Sequence, residues 1–288
     1  MKILLPVDGS AHALNAVRYV ADRLMPLSPD AELHLLHVRF RIPLQPGAAL
    51  GPAKLQQYYQ GVLEEAVKTA RDLLDRRKIR YKLMRTAGHP GAEIARVAED
   101  MHVDLVVMGS HGRGAATALL LGSSTQGVIA GCEVPLLVIR DKRLPESRGE
   151  VLVAVDGSAY SRKAVAYLLR HRDMLGASSH ITLMHVSPSM PRFTVAKARL
   201  ALQQQRERER EQAMHSARRL LAKVSGIKCR EVHVTGDPGE RLADYARGHH
   251  CSLIVMGSHG RGGITRLLLG SVAQKTLAAG RTPVLIVR

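Results

Sequence analysis

The sequence predicts an α/β protein: two tandem, open, parallel five-stranded sheets flanked by helices, of the Rossmann-like kind. Three observations predict it. Short apolar runs of strand length alternate with longer helix-like segments, the pattern of parallel strands joined by right-handed crossovers. The alternation is written twice: Asp8 and Asp156, Val38 and Val186, Gly91 and Gly239, Gly109 and Gly257, Gly122 and Gly270, and Pro135 and Pro283 all stand 148 positions apart. A period that long is a duplicated domain, not a solenoid. Finally, 288 residues are enough for two domains that each bury a core.

In the first copy, Ile3–Val7 reads as a strand and Ser10 to about Leu24 as a helix. Glu32–Val38 is a second strand, followed by a Pro/Gly-rich loop from Ile42 to Pro52. A helix from Lys54 to Arg76 leads to a third strand over Ile79–Arg85. Gly88-His89-Pro90-Gly91 places proline at the first turn of a helix running through Glu99. The apolar run Asp104–Val107 is a fourth strand. It opens into Met108-Gly109-Ser110-His111-Gly112-Arg113-Gly114, an apolar-periodic segment, and a helix after Ser123. Val134–Ile139 closes the copy. The second copy repeats the order with strands at Val151–Val155, Ile181–Val186, Ile227–Val234, Ser252–Val255 and Val284–Val287. Its helices are Ser158–Arg170, Thr194–Val224 and one opened by Asp237-Pro238-Gly239-Glu240, which has the form of a capping box. The charged stretch Asp141–Arg148 marks the junction, giving domains at 1–142 and 150–288 around a linker at 143–149.

Composition narrows the function. No apolar run approaches the 18 residues a membrane helix needs, so no membrane partner is expected. Met1–Asp8 meets an acidic residue too early for a secretory leader. Three cysteines without Cys-x-x-Cys spacing suggest neither a disulfide framework nor a zinc site, and a cytoplasmic location fits. The net charge is +17, split as +5 over residues 1–148 and +12 over the remainder. Such a charge draws polyanions without specificity. With 3% aromatics and no Trp to stack bases, it reads as a solvated basic surface and no dedicated nucleic-acid site is expected.

The glycine stretch carries the chemistry. Glycines between a strand and a helix let the backbone approach a ligand and turn N–H groups toward it, and a helix start favours an anion. What recurs is Gly-x-x-Gly-x9-Gly-Ser, at Gly109, Gly112, Gly122-Ser123 and again at Gly257, Gly260, Gly270-Ser271. A P-loop would need Lys-Ser/Thr where Ala115-Ala116 and Gly263-Ile264 stand, so the usual NTPase chemistry is not expected. Neither the dinucleotide fingerprint nor the hydrolase elbow fits. In open sheets of this kind ligands bind beyond the strand C-termini, at the switch in strand order. Asp8, Val38 and Gly109 fall there, as do Asp156, Val186 and Gly257.

Together with Val-Asp-Gly-Ser at 7–10 and 155–158, this pattern resembles the universal stress protein family in its tandem, ATP-binding form, over nearly the whole chain. The resemblance implies an adenine nucleotide alpha-hydrolase-like fold and a site for ATP with Mg²⁺ in each half. Pro6, Val7, Asp8, Val38 and Met108 would line the adenosine pocket, and Gly109, Gly112, Gly122, Ser123 and Ser124 would hold ribose and phosphates. The second half's equivalents are Ala154, Val155, Asp156, Val186 and Met256, then Gly257, Gly260, Gly270, Ser271 and Val272. Arg113 and Arg261 stand where they either face the terminal phosphate or point to solvent. The implied function is a nucleotide-dependent regulator in stress response with at most slow hydrolysis. A scaffold of the same fold that works without nucleotide, and an enzyme using ATP to modify a substrate, are the alternatives. The last strands, Leu136–Ile139 and Val284–Val287, would leave apolar sheet edges if unpaired, so they are expected to pair with each other within the chain, imitating the homodimer of single-domain relatives, and two chains to associate further.

Other readings bear on single residues. Asp8 and Asp156 serve either a ligand or the following helix, for which Ser10 and Ser158 are the better caps. His111 and His259 are expected to pack near the glycines without acid/base work, since no carboxylate partner is evident. His34 and His37 face opposite sides of a strand and cannot share a metal. Cys251 beside His249-His250 is expected to pack in the core, and the alternating charges of 206–211 to form a solvated helix face.

Overall fold

The structure is a computed structural model, and it describes residues 1–39, 52–110, 121–141, 149–173, 180–189, 196–260 and 269–288, with backbone only at 52–56, 58, 59, 62 and 196–199. The chain divides into two compact units, Met1–Lys142 and Arg143–Arg288. The first contains β1 (Lys2–Pro6), α1 (Ala11–Tyr19), β2 (Glu32–Arg39), α2 (Pro52–Arg76), β3 (Tyr81–Ala87), α3 (Pro90–Asp100), β4 (Leu105–Gly109), α4 (Ser123–Gly131) and β5 (Leu136–Ile139). The second contains β6 (Val151–Ala154), α5 (Ala159–Arg170), β7 (His180–Ser187), α6 (Ala196–Leu221), β8 (Lys228–Thr235), α7 (Pro238–Gly248), β9 (Leu253–Gly257), α8 (Ser271–Ala279) and β10 (Val284–Val287). The α/β class and the five parallel strands of each unit are those expected. The apolar-periodic segment after Gly114, the loop at 42–51 and all of the expected linker but Gly149 lie outside the described residues.

In the first unit the strands lie in the order β3-β2-β1-β4-β5, and in the second β8-β7-β6-β9-β10, all parallel. Central strands are apolar on both faces because helices cover both. In β2, which both α2 and α3 pack against, Leu33, Leu35 and Leu36 are all buried. Each such leucine stabilises the fold by about 1.5–3 kcal/mol. The edge strands β3 and β8 instead carry exposed Lys82, Arg85, Lys228 and Arg230, charges that discourage pairing with further strands.

Several boundaries are set by chemistry that the apolar pattern does not carry. Helix α1 runs on through a π-helical turn, Val20–Leu24, and a last turn at Met25–Leu27. The third strand starts at Tyr81, not Ile79, because Ile79 closes α2: its N–H donates to the Leu74 carbonyl at 3.0 Å while Lys78 sits at φ 56°. This is the left-handed helix stop usually made by glycine. His102 (φ 49°) and His250 (φ 51°) end α3 and α7 the same way, with Val103 N–H to Ala98 and Cys251 N–H to Ala246. At the position equivalent to Lys78 the second unit has Gly226, at φ 81°.

Candidate functional site

The strand registers bring the expected residues to one end of each sheet. Pro6 lies level with Leu36 on β2, and Leu4 with Val106 on β4, so the end of β1 sits between Val38 and Met108-Gly109. The chain steps from β1 to β2 to β3 in one direction and returns to place β4 on the other side of β1. The switch point therefore opens between the tips of β1 and β4, with Asp8 on one side and Ser110 on the other. In the second unit it lies between β6 and β9, with Asp156 and Ser258.

The turn after each first strand is built identically. Asp8 Oδ1 accepts the Ser10 N–H at 2.9 Å, and Asp156 Oδ1 accepts that of Ser158 at 2.9 Å. Gly9 and Gly157 both hold φ 79°, which a side chain would strain, and this bends the chain from strand to helix. Ser10 and Ser158 then cap α1 and α5, accepting from Ala13 N–H and Ser161 N–H at 3.1 Å each. The serines thus do the capping, while each aspartate's Oδ1 fixes the turn at the strand tip. Val7 and Val155 are buried behind them, as are Pro6, Met108 and Met256; Ala154, Val38 and Val186 are partly open.

The glycines divide by role. A methyl group on Gly109 would lie 2.4 Å from the His12 carbonyl oxygen, and one on Gly257 would lie 2.6 Å from Tyr160 Cβ. Their bareness is required by the first turn of α1 and α5, which rests directly on the strand end. At these two positions packing against the helix requires glycine, whatever else the residue does. Gly260 is different: a methyl there would meet Asp156 Oδ2 at 2.9 Å, so this glycine is what lets the loop pass beside the carboxylate. Gly122 and Gly270 are also not phosphate donors through their own N–H groups, which bond the Ser110 and Ser258 carbonyls at 2.9 and 2.8 Å. They are the N-caps of α4 and α8, and have no side chain with which to cap. The first-turn N–H groups of Ser123 and Ser124, and of Ser271 and Val272, point from the helix ends at the positive pole of the dipole. Gly112, Arg113, His111 and Arg261 lie outside the described residues.

His259 packs as expected: it is buried, its ring is 5.2 Å from that of Tyr160, and Nδ1 lies 3.0 Å from Ser258 Oγ. His37, read from the sequence only as unable to share a metal with His34, and its counterpart His185 have a role that reading missed. His37 Nδ1 lies 2.9 Å from the Val7 carbonyl oxygen and His185 Nδ1 lies 2.7 Å from that of Val155. Since a carbonyl only accepts, these rings donate, and each ties the second strand to the residue before the pinned aspartate. Their recurrence at the 148-residue spacing was the signal available.

Elsewhere the polar clusters are structural. Cys251 is buried, its thiol pushed up to about 12 by desolvation and the nearby Glu150, and His249 stacks on Tyr245 at 3.8 Å. A hollow of about 760 Å³ opens at the other end of the first sheet, lined by residues such as Met25, Pro29 and Tyr81 and bordered by the Asp22–Arg77 and Glu32–Lys82 pairs. It shares no residue with the strand-tip site. Among the described residues no helix is long and apolar enough to cross a membrane.

Comparison with known proteins identifies the family and agrees with the fold. The sequence signature of the universal stress protein family matches residues 1–140 and again 148–288. A universal stress protein of Mycolicibacterium smegmatis is 28% identical over 307 aligned residues, covering 99% of this chain and 96% of its own. The crystal structure of a universal stress protein from Archaeoglobus fulgidus superposes with a TM-score of 0.71 at 21% identity, over 100% of this chain and 98% of that one. Solved members of the family also include one in complex with cAMP (19% identity over 48% of this chain and 96% of its own, TM-score 0.38) and one from Arabidopsis thaliana with AMP bound (16% over 49% and 91%, TM-score 0.36). With the signature present once in each half, the chain belongs to the universal stress protein family in its tandem form.

Proposed function

We propose that each half binds ATP, carrying Mg²⁺, at its strand tips, and that occupancy makes the protein a nucleotide-dependent regulator with at most slow hydrolysis. The observation that carries the reading is the twice-built pairing of a pinned aspartate with a helix N-terminus capped only by glycine. A carboxylate fixed at a strand tip is suited to accept from ribose hydroxyls or an adenine amino group. N–H groups at a helix start are suited to phosphate oxygens. The buried Val7 and Met108, and Val155 and Met256, supply an apolar wall of the kind that nucleoside sites use. In the same reading Gly112, Arg113, Gly260 and Arg261 belong to the loop around the phosphates. Without a P-loop lysine, the chain has no ready means of driving phosphoryl transfer.

Isothermal titration of the full chain with MgATP tests this against Asp8→Ala, Asp156→Ala and the double variant. Two sites in the wild type, one in each single variant and none in the double are expected. No binding by a folded wild type would favour the nucleotide-independent scaffold.

A further inference from the structure

Beyond the strand-tip sites, the first half carries a second cavity whose lining differs from its counterpart in the second. It has a volume of about 290 Å³ and lies between the ends of β2 and β3 and helix α2, lined by His37, Arg39, Gln60, Leu63, Arg85, Thr86 and Ala87. None of the residues assigned above to nucleotide binding lines it. His37 is only 7% exposed, and its Nε2 is buried without a hydrogen-bond partner. Because Nδ1 donates to the Val7 carbonyl at 2.9 Å, Nε2 of the neutral ring is an acceptor left unmet. Leaving such an atom buried and unpaired is unfavourable, and a ligand that donates to it removes that cost. The same cavity is lined by Arg39, Arg85 and Gln60, whose side chains carry donors, and by Leu63, which is apolar.

Three of the equivalent positions of the second half are engaged within that half. Ser187 stands for Arg39 and His233 for Arg85; Ser187 Oγ lies 3.0 Å from His233 Nε2, and the His233 ring stacks on His185 at 5.8 Å. At the position of Leu63 the second half has Glu211, engaged by Arg218 at 2.7 Å. One half thus offers two arginines and an unmet imidazole nitrogen. The other offers a hydroxyl and a second imidazole already paired with each other, and a carboxylate already held by Arg218.

We propose that the first-half cavity binds a small phosphate-type oxyanion, either inorganic phosphate or the head of a phosphomonoester. Arg39 and Arg85 hold its oxygens and His37 Nε2 accepts from a hydroxyl that it carries. Arginine's planar fork matches a phosphate face, and a hydrogen phosphate or an alcohol-bearing monoester brings the required donor. Since His37 also holds Val7, this ligand would be bonded to the residue before Asp8 through a single ring.

The test titrates the full chain with inorganic phosphate and, separately, glycerol 3-phosphate, and follows the ring-nitrogen NMR signals of His37, assigned with His37→Gln. A saturable shift of the His37 signals is expected, with those of His185 unmoved. Arg39→Gln and Arg85→Gln should each weaken it about tenfold or more, the loss of a charged hydrogen bond. Arg85→Lys, which keeps the charge without the fork, should fall between. Equal affinity for both probes assigns free phosphate as the ligand, and tighter glycerol 3-phosphate assigns a phosphomonoester. The proposal fails if neither probe moves the His37 signals at about 10 mM, a concentration that detects even millimolar affinity. It also fails if folded Arg39→Gln and Arg85→Gln variants respond as the wild type does, or if His185 responds equally.

Discussion

Gly109→Ala separates two reasons for a glycine in the motif. The added methyl would lie 2.4 Å from the His12 carbonyl oxygen, 2.5 Å from its carbon and 2.9 Å from His12 Cβ. Ordinary contact is about 3.5 Å, so α1 would have to retreat by about an ångström, and no flexible side-chain tip can absorb the clash. Overpacking of this kind costs about 1–3 kcal/mol. The retreat also pulls on the turn in which Asp8 holds Ser10 and Ser10 caps Ala13, a cap worth about 1 kcal/mol. A destabilisation of about 2–4 kcal/mol is expected for the first half with no nucleotide present. Urea unfolding followed by circular dichroism, alongside Gly61→Ala as a control, measures it. A methyl on Gly61 meets nothing within 4 Å, and this helical glycine should gain up to about 1 kcal/mol as alanine. A midpoint for Gly109→Ala equal to the wild type's would refute the packing role and return the glycine to ligand approach alone.

Three more outcomes follow from the same structure. Lys78→Gly should stabilise the first half by about 0.5–1 kcal/mol, because a left-handed residue costs more for lysine than for glycine, and denaturant midpoints will show it. The Lys275 ammonium, with the Glu240 and Gly239 N–H groups, holds the Asp237 carboxyl below the usual carboxylate range. Stability from that depression is present above about pH 4 and is lost as pH falls through the lower, folded value. Asp237→Asn, which still caps α7, should therefore flatten the acid limb of the second half's stability, whereas Asp237→Ala should lose about 1 kcal/mol already at neutral pH. With a thiol reagent, exposed Cys229 should react first, though slowly because partial desolvation and the Glu231 carboxylate raise its thiol, and buried Cys132 and Cys251 only on unfolding.

What the sequence displayed and what it hid have physical reasons. Buried strands were plain because Leu105–Met108 and Leu253–Met256 are unbroken apolar runs. The start of β3 was misplaced by two residues because Ile79, though β-branched, closes a helix whose stop is Lys78, not glycine. Gly91 reads as part of a turn, yet its neighbour is Gly127: a methyl on Gly91 would lie 2.7 Å from Gly127 Cα, so the pair sets how closely α3 and α4 cross. In the second half Gly239 meets the stem of Lys275 instead. Spacing in the chain carries no trace of such contacts between helices. The aspartates and the glycine-capped helices of the candidate site were legible as a repeated pattern. The supporting histidines showed in the sequence only as a repeat at the same spacing, and the split of the glycines between packing and loop passage depends on contacts that only the folded chain supplies.

One ATP at the strand tips of each half is the stoichiometry proposed. Native mass spectrometry of the full chain titrated with MgATP tests it most directly, counting bound nucleotides per chain. Two ATP masses on the wild type and none on the Asp8→Ala, Asp156→Ala double variant are predicted. A wild type that stays bare at saturating nucleotide, or a double variant that still carries two, would contradict it.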